Sequence, residues 1–216
     1  MTALTRRTAF VLAAAALASP ALAQAPAPPV TLTAADRALV ARATAYLEGL
    51  AEAQARFVQT DARGQITRGT VHLKRPGKAR FAYDAPSGLL VVSDGGVVSV
   101  QDKRLKTFDA YPLTATPLSL FLAKTIRLDR GVSVTRVMRL KDGFQITARD
   151  GKKQTAGQIT LSFTEGPLTL AGWTVTDAQG RGTRVQLEGL ARASGLSPAL
   201  FVLKDPRPKN VGRGKM

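Results

Sequence analysis

The hydrophobic period of the chain changes near Gly49 from that of an α-helix to that of a β-strand, and this change constrains the fold most. Upstream of it, Thr33 and Asp36 have the spacing of a helix-capping pair. Apolar residues then recur at helical spacing at Leu39, Ala43, Tyr46, Leu47 and Leu50. The pattern predicts one amphipathic helix over residues 34–50.

Downstream of Gly49, apolar and polar residues alternate, as in half-buried strands. The segment VVSDGGVVSV, residues 91–100, predicts a hairpin because its Asp-Gly-Gly supplies the positive φ angles of a tight turn. Further turn signals recur at residues 61–64, 141–143, 149–152, 165–167 and 177–180. This regular punctuation predicts about ten antiparallel strands in meander order.

Two short helical segments interrupt the strands, one opening at Thr116-Pro117 and one at Ser197-Pro198. A sheet of about ten strands must curl, and a curled sheet has a concave face that helices can cover. The predicted fold is therefore mainly β with a helical lid, in the α+β class. It is an incomplete, unclosed antiparallel β-barrel covered by helices around an apolar cavity.

The N-terminus has the three parts of a secretory signal: Arg6-Arg7, an apolar run over residues 9–18, and Ala21-Leu22-Ala23. We therefore expect residues 1–23 to be removed on export. The general secretory route is favoured, although paired arginines also permit the twin-arginine route. Residues 24–203 then form a single domain, and residues 204–216 form a basic tail that we expect to be partly disordered.

The amino-acid composition limits the kinds of molecule that the protein is expected to bind. The chain has no cysteine, which excludes a disulfide framework and a lipid-attachment cysteine. Its formal net charge of +16 predicts attraction to polyanions, including a transient contact with anionic membranes, but solvated outer strand faces explain the charge equally well. Nucleic acid is not expected as a partner, because aromatic residues are only 6% of the chain and most occupy inward-facing positions.

Catalytic and metal-binding patterns are missing from the sequence. His72 is the only histidine, and its alternation with Val71 and Leu73 predicts an ordinary residue on the opposite strand face. Most carboxylates lie in turn signals, which explain them without catalysis. We therefore expect no enzyme activity, no cofactor and no metal site.

Four motifs in a fixed order resemble the LolA family of periplasmic outer-membrane lipoprotein carriers. They are FVQT at 57–60, GTVHLKRPGKARFAY at 69–83, LLVVSDG at 89–95 and TPLSLFLA at 116–123. The match is good over residues 34–125, whereas the C-terminal third resembles the family only in its hairpin rhythm and an expected closing strand at FVLKDP, residues 201–206. The family usually carries larger aromatic residues at Ala79, Phe81 and 98–100, which leaves cargo preference open.

The resemblance implies a monomeric carrier that takes acylated lipoproteins from an inner-membrane ABC-type exporter to an outer-membrane receptor. Burial of acyl chains is needed because each exposed CH₂ group costs about 0.8 kcal/mol. The resemblance also implies that Arg75, in the Lys-Arg-Pro turn, latches the lid through backbone carbonyls; a solvated turn residue is the competing interpretation. Acyl-chain cavity candidates, each of which could equally be ordinary core, are Leu39, Leu47, Leu50, Phe57, Val71, Leu73, Phe81, Tyr83, Leu118, Leu120, Phe121 and Leu122.

Two other binding functions are compatible with the same fold. The outer-membrane receptor that shares it is itself a lipoprotein, and the absence of cysteine argues against that identity. A periplasmic half-barrel that binds another amphiphile, such as a glycolipid or a lipopolysaccharide fragment, is consistent with the basic charge and the altered aromatic positions.

Overall fold

The computed structural model describes residues 31–116, 118–124, 132–150 and 157–207. Helix α1 spans Ala34–Glu48 and begins with the predicted capping box, in which Thr33 and Asp36 bond each other's backbone N–H groups. The Thr33 bond to its carboxylate lowers the pKa of Asp36. The buried side of α1 carries Leu39, Val40, Ala43 and Leu47. The apolar residues at helical spacing in the sequence therefore form the face of α1 that packs on the core.

In the part of the chain that the structure describes, eleven strands follow α1, close to the expected number of about ten. They are β1 (Glu52–Thr60), β2 (Ile66–Lys74), β3 (Lys78–Tyr83), β4 (Leu89–Asp94), β5 (Val97–Asp102), β6 (Thr107–Pro112), β7 (Val132–Leu140), β8 (Gly143–Asp150), β9 (Gln158–Thr164), β10 (Thr169–Thr176) and β11 (Gly182–Arg192). A 3₁₀ turn at Leu113–Ala115 and helix α2, Leu118–Leu122, lie between β6 and β7. Strong alternation of burial in β1, β2 and β9 confirms the two-residue period.

All eleven strands form one antiparallel sheet in the order β6-β5-β4-β3-β2-β1-β11-β10-β9-β8-β7. The sheet therefore has two wings, β1–β6 and β7–β11, joined where β1 pairs with β11. The ring centroids of Phe81 and Trp173 lie 6.0 Å apart. Phe81 belongs to β3 and Trp173 to β10, and three other strands lie between β3 and β10 in the sheet. The sheet is thus curled so that its wings face each other, and its edge strands β6 and β7 do not pair, as predicted.

The two ends of the curled sheet differ in what covers them. The end that carries the turns at residues 75–77, 95–96, 141–142 and 165–168 is called the lid end, because α1 and α2 contact it. The opposite end, with the turns at residues 61–65, 84–88, 103–106 and 177–181, is called the far end. Within the described residues, no helix combines the length and apolarity needed to cross a bilayer.

Several predicted boundaries differ from the structure. Helix α1 ends at Glu48 rather than residue 50, because Gly49 caps it and β1 starts at Glu52. The closing strand expected over residues 201–206 is wrong: Pro198–Phe201 is a 3₁₀ turn capped by Ser197, and residues 202–206 form no strand. The signal sequence, Pro117, the predicted turn at 149–152 beyond Asp150, and most of the basic tail lie outside the described residues.

Candidate functional site

The concave face of the sheet is an apolar core closed by α1 and α2. Of the predicted cavity residues, Leu39, Leu47, Leu50, Phe57, Val71, Leu73, Phe81, Phe121 and Leu122 are buried. Tyr83 and Leu118 are partly buried against the same core, and the side chain of Leu120 lies outside the described residues. Ala79 and Val98, where the family usually has larger side chains, are also buried in this core.

Arg75 joins both helices to the lid end of the sheet. Its guanidinium donates from Nη1 to the carbonyl oxygen of Leu47, in the last turn of α1, and from Nη2 to that of Ala123, directly after α2, at 2.7 Å. Carbonyls at a helix C-terminus have no partner within the helix, so they are available to such a donor. The fork of the guanidinium lets one side chain serve two separate helix ends.

The hydrogen bonds of Arg75 replace only part of the water that its guanidinium loses on burial. Burial lowers its pKa, and the nearby carboxylate of Glu48 opposes that shift. Its Nε atom is buried and has no hydrogen-bond partner among the described residues. Removing water from a charged group is unfavourable unless hydrogen bonds replace all of its contacts with water. The bonded position of Arg75 is therefore less stable than it would be if Nε also had a partner.

Backbone contacts beside Arg75 bring α2 close to the same turn. The N–H of Gly77 donates to the carbonyl of Leu122 at 2.7 Å. Gly77 has a φ of +74°, and a Cβ atom there would lie 2.6 Å from the Cα of Gly95. Only glycine fits this close approach of two lid-end turns without displacement. On the other side, Arg192 of β11 donates to the carbonyl of Gly49, the C-cap of α1.

An aromatic series crosses the concave face from the far end to the lid. Adjacent ring centroids lie 5.0–6.0 Å apart along Tyr83, Phe57, Phe81, Trp173 and Phe121. Phe57 fits because its cross-strand neighbour is Gly69, where a Cβ atom would lie 2.6 Å from the Phe57 ring. The series therefore connects the aromatic side chains of both wings with α2.

Trp173, Phe144 and Phe163 belong to this core but are absent from the sequence-predicted set. Phe144 and Phe163 stack at 5.1 Å, and Tyr46 of α1 meets Phe163 edge-on at 6.0 Å. Phe163 lies on a strand whose buried residues alternate, Ile159, Leu161 and Phe163, so that signal was available in the sequence. In the strands of Phe144 and Trp173 neighbouring residues are buried, so alternation does not single these two out.

The far end is closed by polar groups. The hydroxyl of Tyr83 donates to Oε1 of Gln59 at 2.7 Å, and burial raises the pKa of Tyr83 to about 12. Just outside, the guanidinium of Arg56 pairs with the carboxylate of Asp84 on the exposed sheet surface. The hydrogen bond from Arg56 lowers the pKa of Asp84. The apolar face therefore ends at a neutral hydrogen bond, with charges only beyond it.

His72 lies on the outer face, as its alternation with Val71 and Leu73 predicts. Its neighbour in register is Arg80, and burial followed by the charge of Arg80 lowers its pKa. Among the described residues, no group of three His, Cys, Asp or Glu side chains is arranged to hold a metal ion. What the described face offers is apolar surface under helices fixed by hydrogen bonds.

Comparison with known proteins agrees with this geometry. The model of the family described as outer membrane lipoprotein carrier protein LolA matches residues 48–204. An outer-membrane lipoprotein carrier protein of Chromobacterium violaceum is 27% identical over 189 residues, covering 83% of this chain and 90% of that protein. One from Pseudomonas syringae is 28% identical over 187 residues, covering 82% and 89%.

A solved structure of a LolA superfamily protein from Nitrosomonas europaea is also similar, with 9% identity and a TM-score of 0.43, covering 74% of this chain and 97% of that one. The family match spans strands of both wings, the Arg75 turn and α2. By that match, this chain is a member of the LolA family of outer membrane lipoprotein carrier proteins.

Proposed function

We propose that the protein is a periplasmic carrier that binds the acyl chains of lipoproteins released from the inner membrane and delivers them to the outer membrane. Relatives named outer-membrane lipoprotein carrier proteins support this function. The single structural observation that carries it is Arg75, which holds α1 and α2 over an apolar concave face through two carbonyls. Apolar contacts of α1 and α2 with the concave face hold the lid as well, so opening requires cargo that replaces those contacts.

Arg75 acts as the lid latch in this proposal. Opening breaks its bonds to Leu47 and Ala123 and exposes the guanidinium to water, which offsets part of the loss because the cation regains full solvation. Acyl chains then replace the helices as the cover of the concave face. Each CH₂ group moved from water to this surface contributes about 0.8 kcal/mol, so two or three long chains offset both the two hydrogen bonds and the apolar lid contacts that opening breaks.

The predicted cavity residues form the acyl-chain site in this proposal. The leucines of α1 and α2 line the removable wall, and Phe57, Val71, Leu73, Phe81 and Tyr83 line the fixed wall on the strands. The two walls are in contact in the structure, so lid movement and cargo entry are one event. Trp173 joins the fixed wall because it contacts both Phe81 and Phe121.

The proposal also includes the export of the protein and the path of its cargo between the two membranes. Residues 1–23 direct export through the general secretory route, and the mature protein acts as a monomer. It receives cargo from an ABC-type exporter of the inner membrane and passes it to a receptor in the outer membrane. The protein supplies a binding surface and no catalysis.

The test is release of a labelled triacylated lipoprotein from spheroplasts by the protein purified from periplasmic extract. We expect a soluble one-to-one complex. Arg75→Leu should still capture cargo, because the apolar face is intact, but should hand it to the receptor more slowly, because the closed state no longer competes with cargo. Arg56→Leu is the matched control, since Arg56 is an arginine of the same sheet paired on its outer surface.

Two results would contradict the proposal. If no lipoprotein is released, while mass spectrometry of the purified protein finds a glycolipid or lipopolysaccharide fragment, the cargo is another amphiphile. If Arg75→Leu and Arg56→Leu transfer cargo at the wild-type rate, the carrier function stands and the latch role of Arg75 is wrong.

A further inference from the structure

Two hairpin tips at the far end present aliphatic side chains to solvent. Ile66, at the start of β2, is 56% exposed, and Leu105, in the β5–β6 turn, is 59% exposed. Nothing in the core or the lid uses these two residues. Exposed apolar side chains that share one end of a molecule indicate an interaction surface more strongly than scattered ones do.

Five exposed cations accompany the two aliphatic residues: Arg63, Arg68, Lys103, Arg104 and Lys106. The two acidic residues of the same tips accept hydrogen bonds from backbone N–H groups of their own turns. Asp61 accepts the backbone N–H groups of Arg63 and Gln65, and Asp102 accepts those of Arg104 and Leu105. With the five cations set against these two acids, the formal net charge of the tips is +3.

The two tips form one surface. A single open cavity of about 750 Å³ at the far end is lined by Ile66, Arg68, Leu89 and Arg104, together with the acids Asp61, Asp84 and Asp102. The N–H of Lys103 donates to the carbonyl of Gly88 at 3.2 Å, which ties the β5–β6 turn to the loop between β3 and β4. We call this surface, made of residues 63–68 and 103–106, the far-end tips.

The chemistry of the far-end tips favours a lipid bilayer over an acidic protein. Turns that enter a membrane interface need their backbone donors satisfied, and Asp61 and Asp102 each accept two of them. Long Lys and Arg side chains reach lipid phosphates while neighbouring aliphatic groups enter the acyl boundary. Clusters of basic residues are attracted to anionic lipid surfaces.

We propose that the far-end tips are a docking surface for an anionic phospholipid bilayer, with Ile66 and Leu105 entering the interface and the five cations contacting headgroup phosphates. The lid end then faces away from the membrane surface. This inference deepens the proposed carrier function by assigning its membrane contact. It concerns the protein without cargo, so it stands or fails separately from lipoprotein binding.

The lid end provides a matched control. Leu140, at the β7–β8 turn, is 46% exposed and lies between the exposed Arg139 and Lys141. It has the same local chemistry as Leu105 at the opposite end of the sheet. A rigid protein docked on a flat bilayer through the far-end tips cannot place Leu140 in the same interface.

The experiment measures cosedimentation of protein purified from periplasmic extract with vesicles of equal parts phosphatidylglycerol and phosphatidylcholine. We expect binding that weakens with added salt and is absent with phosphatidylcholine alone. Ile66→Asp combined with Leu105→Asp should lower the bound fraction severalfold, and Leu140→Asp should not. Circular dichroism and thermal unfolding confirm that the variants fold, which surface substitutions should allow.

A fluorescence measurement gives a second readout. Leu105→Trp should show a blue-shifted emission on adding the anionic vesicles, whereas Leu140→Trp should not; the emission of Trp173, which is 3% exposed, is measured in the wild-type protein and subtracted. Three outcomes overturn the proposal: no vesicle binding by the wild type, equal loss of binding in the Leu140→Asp variant, or no emission shift at residue 105 while the protein is bound. Binding of the tips to an acidic protein without vesicle binding overturns it as well.

Discussion

The two ends of the half-barrel use arginine in opposite ways. At the lid end, Arg75 is drawn under two helices and bonds neutral carbonyls, with one nitrogen left unpaired among the described residues. Toward the far end, Arg56 stays in solvent and pairs with the carboxylate of Asp84. Arg75 fastens two helices to the sheet, whereas Arg56 joins β1 to the end of β3 on the outer surface of the sheet.

The difference shows how a lid can be both closed and ready to open. A buried cation satisfied only in part is less stable than one with a full set of partners, so the closed and open arrangements differ by less free energy. An exposed ion pair contributes little in either state because water screens it. The lid end thus concentrates the interactions that movement must break, whereas at the far end the apolar face ends at the hydrogen bond between Tyr83 and Gln59.

The largest expected effect lies between the two ends, at Trp173. Trp173→Ala removes the side chain that contacts Phe81 across the concave face and Phe121 of α2. We expect the free energy of unfolding to fall by about 3–5 kcal/mol, as for other large aromatic residues truncated in a core. Urea denaturation measures it. Thr174→Ala, on the same strand, is the control, and an equal loss there would contradict the central role of the aromatic series.

The next effect should be at Arg75 itself. Arg75→Leu removes the side-chain donor to the carbonyls of Leu47 and Ala123, although Leu47 still accepts the N–H of Leu50, and we expect a loss of about 2 kcal/mol in the free energy of unfolding. Amide hydrogen exchange should speed up in α1 and α2 while β1 and β2 keep their protection. Arg75→Lys keeps the charge but not the two-pronged donor, so it should recover only part of the loss. Uniform acceleration across the sheet would argue against a latch.

A smaller effect is expected at Tyr83, where the far end closes. Tyr83→Phe leaves Oε1 of Gln59 without its donor and should cost about 1 kcal/mol at neutral pH. Because the folded pKa is raised to about 12, the neutral hydroxyl favours the fold at pH values below the unfolded pKa of about 10, and this contribution disappears as the pH rises from there through 12. The variant should lack this part of the alkaline destabilisation, which unfolding at several pH values would measure.

The smallest effect should be at the Arg56–Asp84 pair. Asp84→Asn removes the charge of a fully exposed carboxylate, so the midpoint of thermal unfolding should hardly change. Any small difference should vanish at high salt, where surface charges are screened. A large decrease in the midpoint of thermal unfolding that does not depend on salt would show that Arg56 stabilises the fold as much as Arg75 does. The contrast between the two ends would then be wrong.

Much of the fold was predictable because its signals are local. Periodicity and turn chemistry placed α1, the hairpin at Asp94 and the turns at 141–143 and 177–180, since each depends on neighbouring residues alone. The closing strand at 201–206 was predicted wrongly because its apolar residues suit either a strand or a packed turn. Phe201 is buried by the 3₁₀ turn, and Arg80 on the outer face donates to the carbonyl of Leu200.

The candidate site was predictable only in part. Most of the chosen apolar residues are buried together, because burial follows from the strand period. The bonds from Arg75 to Leu47 and Ala123 join segments far apart in sequence, and no local pattern specifies that distance. Trp173 was missed for the same reason: its importance comes from curling of the sheet, which brings it to Phe81.

The strand order has a consequence for how the chain is made. Every strand neighbour within a wing is also a neighbour in sequence, but β1 must wait for β11, as Ala53 pairs with Arg192. A chain that is synthesised from its N-terminus therefore carries β1 with one unpaired edge until nearly all of it has been made. Unpaired strand edges invite association with other chains. We expect β1 to be the segment most in need of a chaperone before folding, and the β1–β11 seam to be the last part of the sheet to close.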